Sequence, residues 1–183
     1  MSPAERPLVV VGVGNVLRGD DGAGVRVIER LQSLAERDPQ TVPPGTRLVD
    51  GGTLGLDVLP AIDGARGLVL VDAVRLGGAA GTVTVLRGDA IEAAGGPGDG
   101  LGPGAIGELV ATARFLGLQT GPVALVGIEA AGIDLGLRLS TAVEGALPAA
   151  MVAVRDELRR MDGLAPSMTQ GGAATARMAG ATA

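Results

Sequence analysis

The 183-residue sequence has no cysteine, histidine, lysine, tryptophan or tyrosine, and its one aromatic residue is Phe115. Each absence removes a class of chemistry. Without Cys there is no disulfide, thiol nucleophile or zinc-thiolate site, and without His no Ser/His/Asp triad and no imidazole metal ligand. Without Lys there is no Schiff base and no Walker-type phosphate lysine. All 15 basic residues are Arg, set against 20 acidic ones, and the net charge of −5 argues against a nucleic-acid partner, which selects a basic face. Long apolar runs are also missing. Hydrophobic residues make up 46% of the chain, but they fall in short runs, none near the roughly 18 residues of a membrane-spanning helix. Gly12, Gly14 and Asn15 interrupt the first run, which reads as a strand rather than a targeting signal, so a cytoplasmic protein without membrane contact is expected. What remains for chemistry is Asp, Glu, a few hydroxyls, Arg and backbone amides, a set suited to hard-metal binding or carboxylate-assisted hydrolysis.

The residues present are organised as one α/β domain. Pro7 to Val13 and Gly67 to Val74 are continuous apolar runs, the pattern of strands buried on both faces. Thr46 to Asp50 and Pro122 to Ile128 predict two further strands, and Gly81 to Arg87 alternates like an edge strand. Helical periods fall on Val25 to Leu34, ended by Asp38-Pro39, on Leu56 to Ile62, ended near Asp63-Gly64, and on Ile106 to Leu116. A last helix runs from a capping-box pattern at Thr141-Ala-Val-Glu144 through Leu158, with Pro148 expected to kink it or start its main segment. Gly88 to Pro103 reads as a mobile surface loop. The order predicts an α/β three-layer sandwich: a mostly parallel five-stranded sheet with one antiparallel edge strand and helices on both faces. The domain is expected to span 1–161, followed by a disordered tail over 162–183.

In open sheets of this kind ligands bind outside the carboxyl ends of the strands, which places Gly14 to Gly24, Asp50 to Gly55 and Asp72-Ala73 on one rim. The first loop begins like a dinucleotide fingerprint, but Leu17 stands where Gly or Ala would be needed. Its glycines can be read as a tight turn with Asp20 or Asp21 capping the next helix. They can also be read as an open site, because Gly19, Gly22 and Gly24 leave little bulk to cover the adjacent carboxylates. Asp72 ends an apolar strand, where an ionised carboxylate needs a partner, a metal or backbone amides. A structural Asp and a functional one are equally consistent with that spacing. Glu108 and Glu129 are expected to be solvated, and the Asp50 to Gly55 segment is either a plain turn or a backbone platform.

Gly12-Val-Gly14-Asn15-Val-Leu-Arg-Gly19-Asp20-Asp21-Gly22-Ala-Gly24-Val25 resembles the opening motif of the nickel-iron hydrogenase maturation proteases. Asp50-Gly51-Gly52-Thr53-Leu-Gly55, Val71-Asp72-Ala73, and Leu125 to Ile128 with Leu139-Ser140 and Ala146-Leu147-Pro148 follow in the family's order. The resemblance implies an endopeptidase that removes the carboxyl-terminal peptide from a nickel-loaded hydrogenase large-subunit precursor. It places the catalytic and metal-binding carboxylates at Asp21 and Asp72, with Asn15, Asp20, Asp50, Gly51, Gly52 and Thr53 holding the substrate. Nickel is then presented by the precursor rather than held permanently, and the protein acts as a monomer. One position departs from the pattern: Gly104, in Pro103-Gly104-Ala105-Ile106-Gly107, stands where the family carries a metal-binding His. Two further readings stay open, a non-catalytic homologue that binds the large subunit as an assembly checkpoint, and a small-molecule or nucleotide binder using the glycine loop.

Overall fold

Alternation along three buried strands sorts the core into two faces. The computed structural model describes residues 6–53, 58–94, 103–118 and 120–163, with only the backbone at 103–105. The strands are β1 (Leu8–Val13), β2 (Arg47–Gly52), β3 (Gly67–Val74), β4 (Val83–Arg87) and β5 (Val123–Glu129). Leu8 and Val10 of β1, Val69, Val71 and Ala73 of β3, and Val126 and Ile128 of β5 share one face. That face is covered by α1 (Ala23–Arg37) and α5 (Thr141–Met161). Val9, Val11 and Val13, then Leu68, Leu70 and Val74, then Val123 and Leu125, face the other way. There they meet α2 (Leu59–Ile62), α3 (Asp89–Ala94) and α4 (Pro103–Phe115). The period of two in the strands and the apolar stripe of each helix thus build the predicted three layers.

The strand order is β2-β1-β3-β5-β4, parallel throughout except for β4, which pairs antiparallel with β5 at the edge. β2 and β4, the two edges, are only partly buried, as the alternating sequence of β4 predicts. Arg87 at the end of β4 pairs with the buried Glu157 of α5, which also accepts from Arg160 Nε at 2.9 Å. Burial pushes the Glu157 carboxyl up, and hydrogen bonds and charge from Arg87 and Arg160 more than offset this, leaving it below its usual range. Among the described residues no helix is long and apolar enough to cross a membrane.

Several local expectations are corrected. The cap of α5 is Ser140, one residue before the predicted box: its hydroxyl accepts the Val143 N–H at 3.3 Å. Pro148 neither starts nor ends a helix, and α5 runs through it for 21 residues. The stretch after Gly88 is not all loop, since Asp89–Ala94 is helical with Ile91 buried. Six residues with one apolar anchor show too little period to be seen beforehand. Asp162, assigned to the tail, caps α5 and pairs with Arg66. Leu54 to Asp57, residues 95–102 and the rest of the tail lie outside the described residues.

Close approach, not turn geometry, explains two of the glycines. A Cβ on Gly24 would lie 2.2 Å from Val71 O and 2.3 Å from Val13 O, and one on Gly12 would lie 2.3 Å from Gly24 O. The first turn of α1 therefore rests directly on the backbones of β1 and β3. Gly24→Ala should cost about 2–3 kcal/mol despite alanine's better helix propensity, because the clash is with backbone that cannot move aside. Gly145 of α5 is exposed, with nothing within 4 Å of its notional Cβ, so Gly145→Ala should stabilise by about 0.5–1 kcal/mol. Urea midpoints read both signs. Equal effects would mean that propensity alone operates at these positions.

Candidate functional site

The carboxyl ends of β1, β2 and β3 meet at one place in register. Gly12 of β1 pairs with Asp50 of β2 on one side and with Val71 of β3 on the other, and Asp72 pairs onward with Gly127 of β5. A register shift between Gly12 and Val13 opens the ladder here, and Val13 pairs with Gly52. The Gly14 N–H then donates to Gly52 O at 2.7 Å, which ties the first loop to the end of β2. Gly14 has a φ of 128°, and a Cβ there would meet Asp21 O at 1.7 Å, so only glycine lets the chain fold back this tightly.

The turn closes on itself through side chains. Asn15 N donates to Asp21 Oδ2 at 3.0 Å, and Asn15 Oδ1 accepts from Leu17 N at 2.9 Å. Asp21 lies in the 3-10 turn Gly19–Gly22 that leads into α1. One of its oxygens is thus fixed by the loop, and the half-buried carboxylate stays in reach of a ligand. Asp50 is exposed and its Oδ1 accepts the Gly52 N–H at 2.8 Å, a local bond that shapes the turn after β2. Gly51 is held close to Val11, Gly52 takes a φ of 49°, and Thr53 is exposed beside them. Asn15, Asp21, Asp50, Gly51, Gly52 and Thr53 therefore share the rim.

Asp72 belongs to the same rim but to a different environment. The strand runs two residues past it, and alternation points it to the α2 and α4 side with Leu70 and Val74. It is 6% exposed. Burial pushes its carboxyl well above the usual carboxylate range, the charge of Asp21 pushes the same way, and the Ala73 N–H pulls part of the way back. Two neighbouring carboxylates that repel each other, one of them buried, attract a proton or a cation. Among the described residues no third His, Cys, Asp or Glu joins the pair to form a metal-binding group.

Asp20, grouped with the substrate-binding residues on sequence grounds, is drawn inward. It is 1% exposed, Oδ2 accepts from Ala131 N at 2.9 Å and Gly132 N at 3.3 Å, and Oδ1 from Ser140 N at 2.6 Å. It joins the loop after β5 to the first loop. Glu129, expected in solvent, is also buried: its carboxylate accepts from Leu76 N at 3.0 Å and Gly77 N at 3.0 Å, holding the loop after β3. The sequence carried a signal for it, since Glu129 follows an apolar run as Asp72 does. Two buried carboxylates thus fasten rim loops through backbone amides.

The family model for hydrogenase maturation proteases matches residues 25–157. The chain belongs to the hydrogenase maturation protease family. A hydrogenase expression/formation protein HupD from Rhodobacter capsulatus is 35% identical over 161 residues, 86% of this chain and 74% of that one. The hydrogenase 2 maturation protease of Escherichia coli K12 is 28% identical over 155 residues, 83% of this chain and 90% of its own length. The structure of the E. coli hydrogenase maturating endopeptidase HybD superposes with a TM-score of 0.71 at 26% identity, covering 87% of this chain and 95% of that one. The resemblance read from four spaced motifs and the predicted mixed sheet are both borne out. In this member the rim that carries Asp21 and Asp72 is built from glycine-rich backbone.

Proposed function

We propose that this maturation protease removes the carboxyl-terminal peptide from a nickel-loaded hydrogenase large-subunit precursor, acting as a cytoplasmic monomer, with Asp21 and Asp72 as the working pair. The observation that carries the reading is Asp72: a buried carboxyl with raised proton affinity, next to a second carboxylate, at the rim where such sheets bind ligands. Two hard oxygen donors are too few for a permanent nickel site, but suit an ion that arrives already ligated by the precursor. Nickel is then part of the substrate. Asp21 and Asp72 engage it and so fix the cleavage junction against the amides of Asp50 to Thr53. The nucleophile in this reading is water. A carboxylate of the pair takes its proton. The proton then passes to the departing amine.

Gly104 in place of the family's His favours a second reading, a non-catalytic partner that holds the large subunit as an assembly checkpoint. Mass spectrometry of the cognate precursor, incubated with the protein with and without nickel, separates the two. Nickel-dependent loss of a short carboxyl-terminal peptide, reduced at least about a hundredfold by Asp21→Asn, supports processing. Binding at stoichiometric protein with no change in precursor mass would replace it by the checkpoint reading.

A further inference from the structure

Beside Asp21 the rim carries apolar side chains that the fold does not use. Leu17 is 57% exposed in the first loop, and Leu135 and Leu137 are 88% and 66% exposed in the loop between β5 and α5. The two loops are locked together: Gly136 N donates to Leu17 O at 2.9 Å and Gly19 N donates to Gly136 O at 2.8 Å. The Asp20 N–H donates to Gly132 O at 3.3 Å and its carboxylate adds three accepted amides, so this contact is fixed by six hydrogen bonds from residues 17–20. At either end of the exposed stretch Ile133 and Leu139 pack on the core. Leu135 and Leu137 are thereby presented outward on a backbone that cannot collapse to bury them. Single exposed leucines are ordinary, but three gathered on a pre-ordered platform mark an interaction surface.

We propose that Leu17, Leu135 and Leu137 form the docking surface for the folded body of the large-subunit precursor, next to the pair that engages its nickel. The proposal rests on the function proposed above and adds a second point of attachment to it. Its occupant follows from continuity. Leu17 lies four residues before Asp21 in one loop, so a protein seated on the pair also covers the leucines. An apolar patch on the precursor, beside the base of its carboxyl-terminal extension, is the matching chemistry. Asp20 is then a positioning residue, holding the platform at a set distance from Asp21.

The test uses Leu135→Ser/Leu137→Ser, both exposed and so safe for folding, against Phe115→Ser/Leu116→Ser at the far end of α4, where Phe115 is 90% exposed. The probe is the nickel-loaded precursor, with Kd from calorimetry and kcat and KM from mass-resolved processing. The platform variant should raise Kd and KM at least about tenfold with kcat unchanged, while the far variant changes neither. A synthetic peptide of the cleavage junction should compete equally well on wild type and platform variant. An unchanged Kd in the platform variant, or an equal loss in the far variant, overturns the docking surface while leaving processing intact. Wild type that binds precursor through the leucines without cleaving it overturns the function and keeps the surface. Wild type that does not bind precursor overturns both.

Discussion

Asp72→Asn is expected to yield a protein that no longer processes the precursor yet melts at a higher temperature than wild type near neutral pH. Both outcomes come from one placement. The wild-type carboxyl is buried, faces the Asp21 charge and has the Ala73 N–H as its compensating bond, so its affinity for a proton is raised well above the ordinary 3.8. The unfolded chain releases that proton near the ordinary value, whereas the folded chain keeps it to higher pH. Between the two the folded state binds more protons than the unfolded state, so stability falls as pH rises through that window and stays lowered above it. Asn keeps the acceptor for the Ala73 N–H and never ionises. The variant's advantage is therefore absent near pH 3.5, grows as pH rises through the window, and reads as a higher Tm than wild type at neutral pH. Processing should drop at least about a hundredfold if, as proposed, the lost group is one of the two that engage nickel. Thermal melts from pH 3.5 to 8 check the first half, and precursor mass checks the second. A variant with the wild-type pH profile of stability would remove the case for a strained carboxylate pair.

Much of this was readable in the sequence. Strands buried on both faces announce themselves as unbroken β-branched runs, and β3 is found residue for residue at Gly67–Val74. The antiparallel β4 is legible from its alternation. Asp72 stands out as a carboxylate in an apolar strand, although the spacing fits a structural Asp as well as a functional one. Other features are non-local and leave no periodic trace. Nothing adjacent in sequence tells that Asp20 turns inward to the amides of Ala131, Gly132 and Ser140 while its neighbour Asp21 accepts from Asn15. That division of labour is set by the 3-10 turn, which sends successive side chains in different directions. Glu129 was misread for a related reason: its partners are the amides of Leu76 and Gly77, some 50 residues earlier. The Ser140 cap was missed by one residue because Ser140 and Thr141 are both good caps, and Asp20 decides between them by holding the Ser140 N–H. Backbone amides are invisible in sequence, and both staples are made of them.

Gly104→His is expected to turn the carboxylate pair into a site that binds free Ni2+ without the precursor. The end of α4 and the turn after it lie at the amino end of β5, where Gly117, Leu118, Gly121 and Val123 line one cleft. β5 runs from there to the rim, so α4, packed along it through Ile106, Leu109, Val110 and Ala113, runs the opposite way. Its 13 residues extend about 20 Å, close to the length of the strands it covers, which puts Pro103 and Gly104 in the turn nearest the rim. Alternation sends Asp72 to that same side of the sheet. An imidazole on this turn would add a nitrogen donor to two oxygens, and nickel ranks nitrogen ligands above carboxylates. Isothermal titration with Ni2+ at pH 7.5 should show a gain of about a hundredfold in affinity, or about 2.7 kcal/mol, over wild type. The gain should disappear in Gly104→His/Asp72→Asn, which separates a joint site from an isolated surface imidazole. Precursor processing would then lose part of its dependence on nickel carried by the substrate, because the enzyme competes for the ion. Equal nickel affinity in wild type and Gly104→His would show that the first turn of α4 does not face the pair, and the departure at Gly104 would then bear on neither metal nor activity.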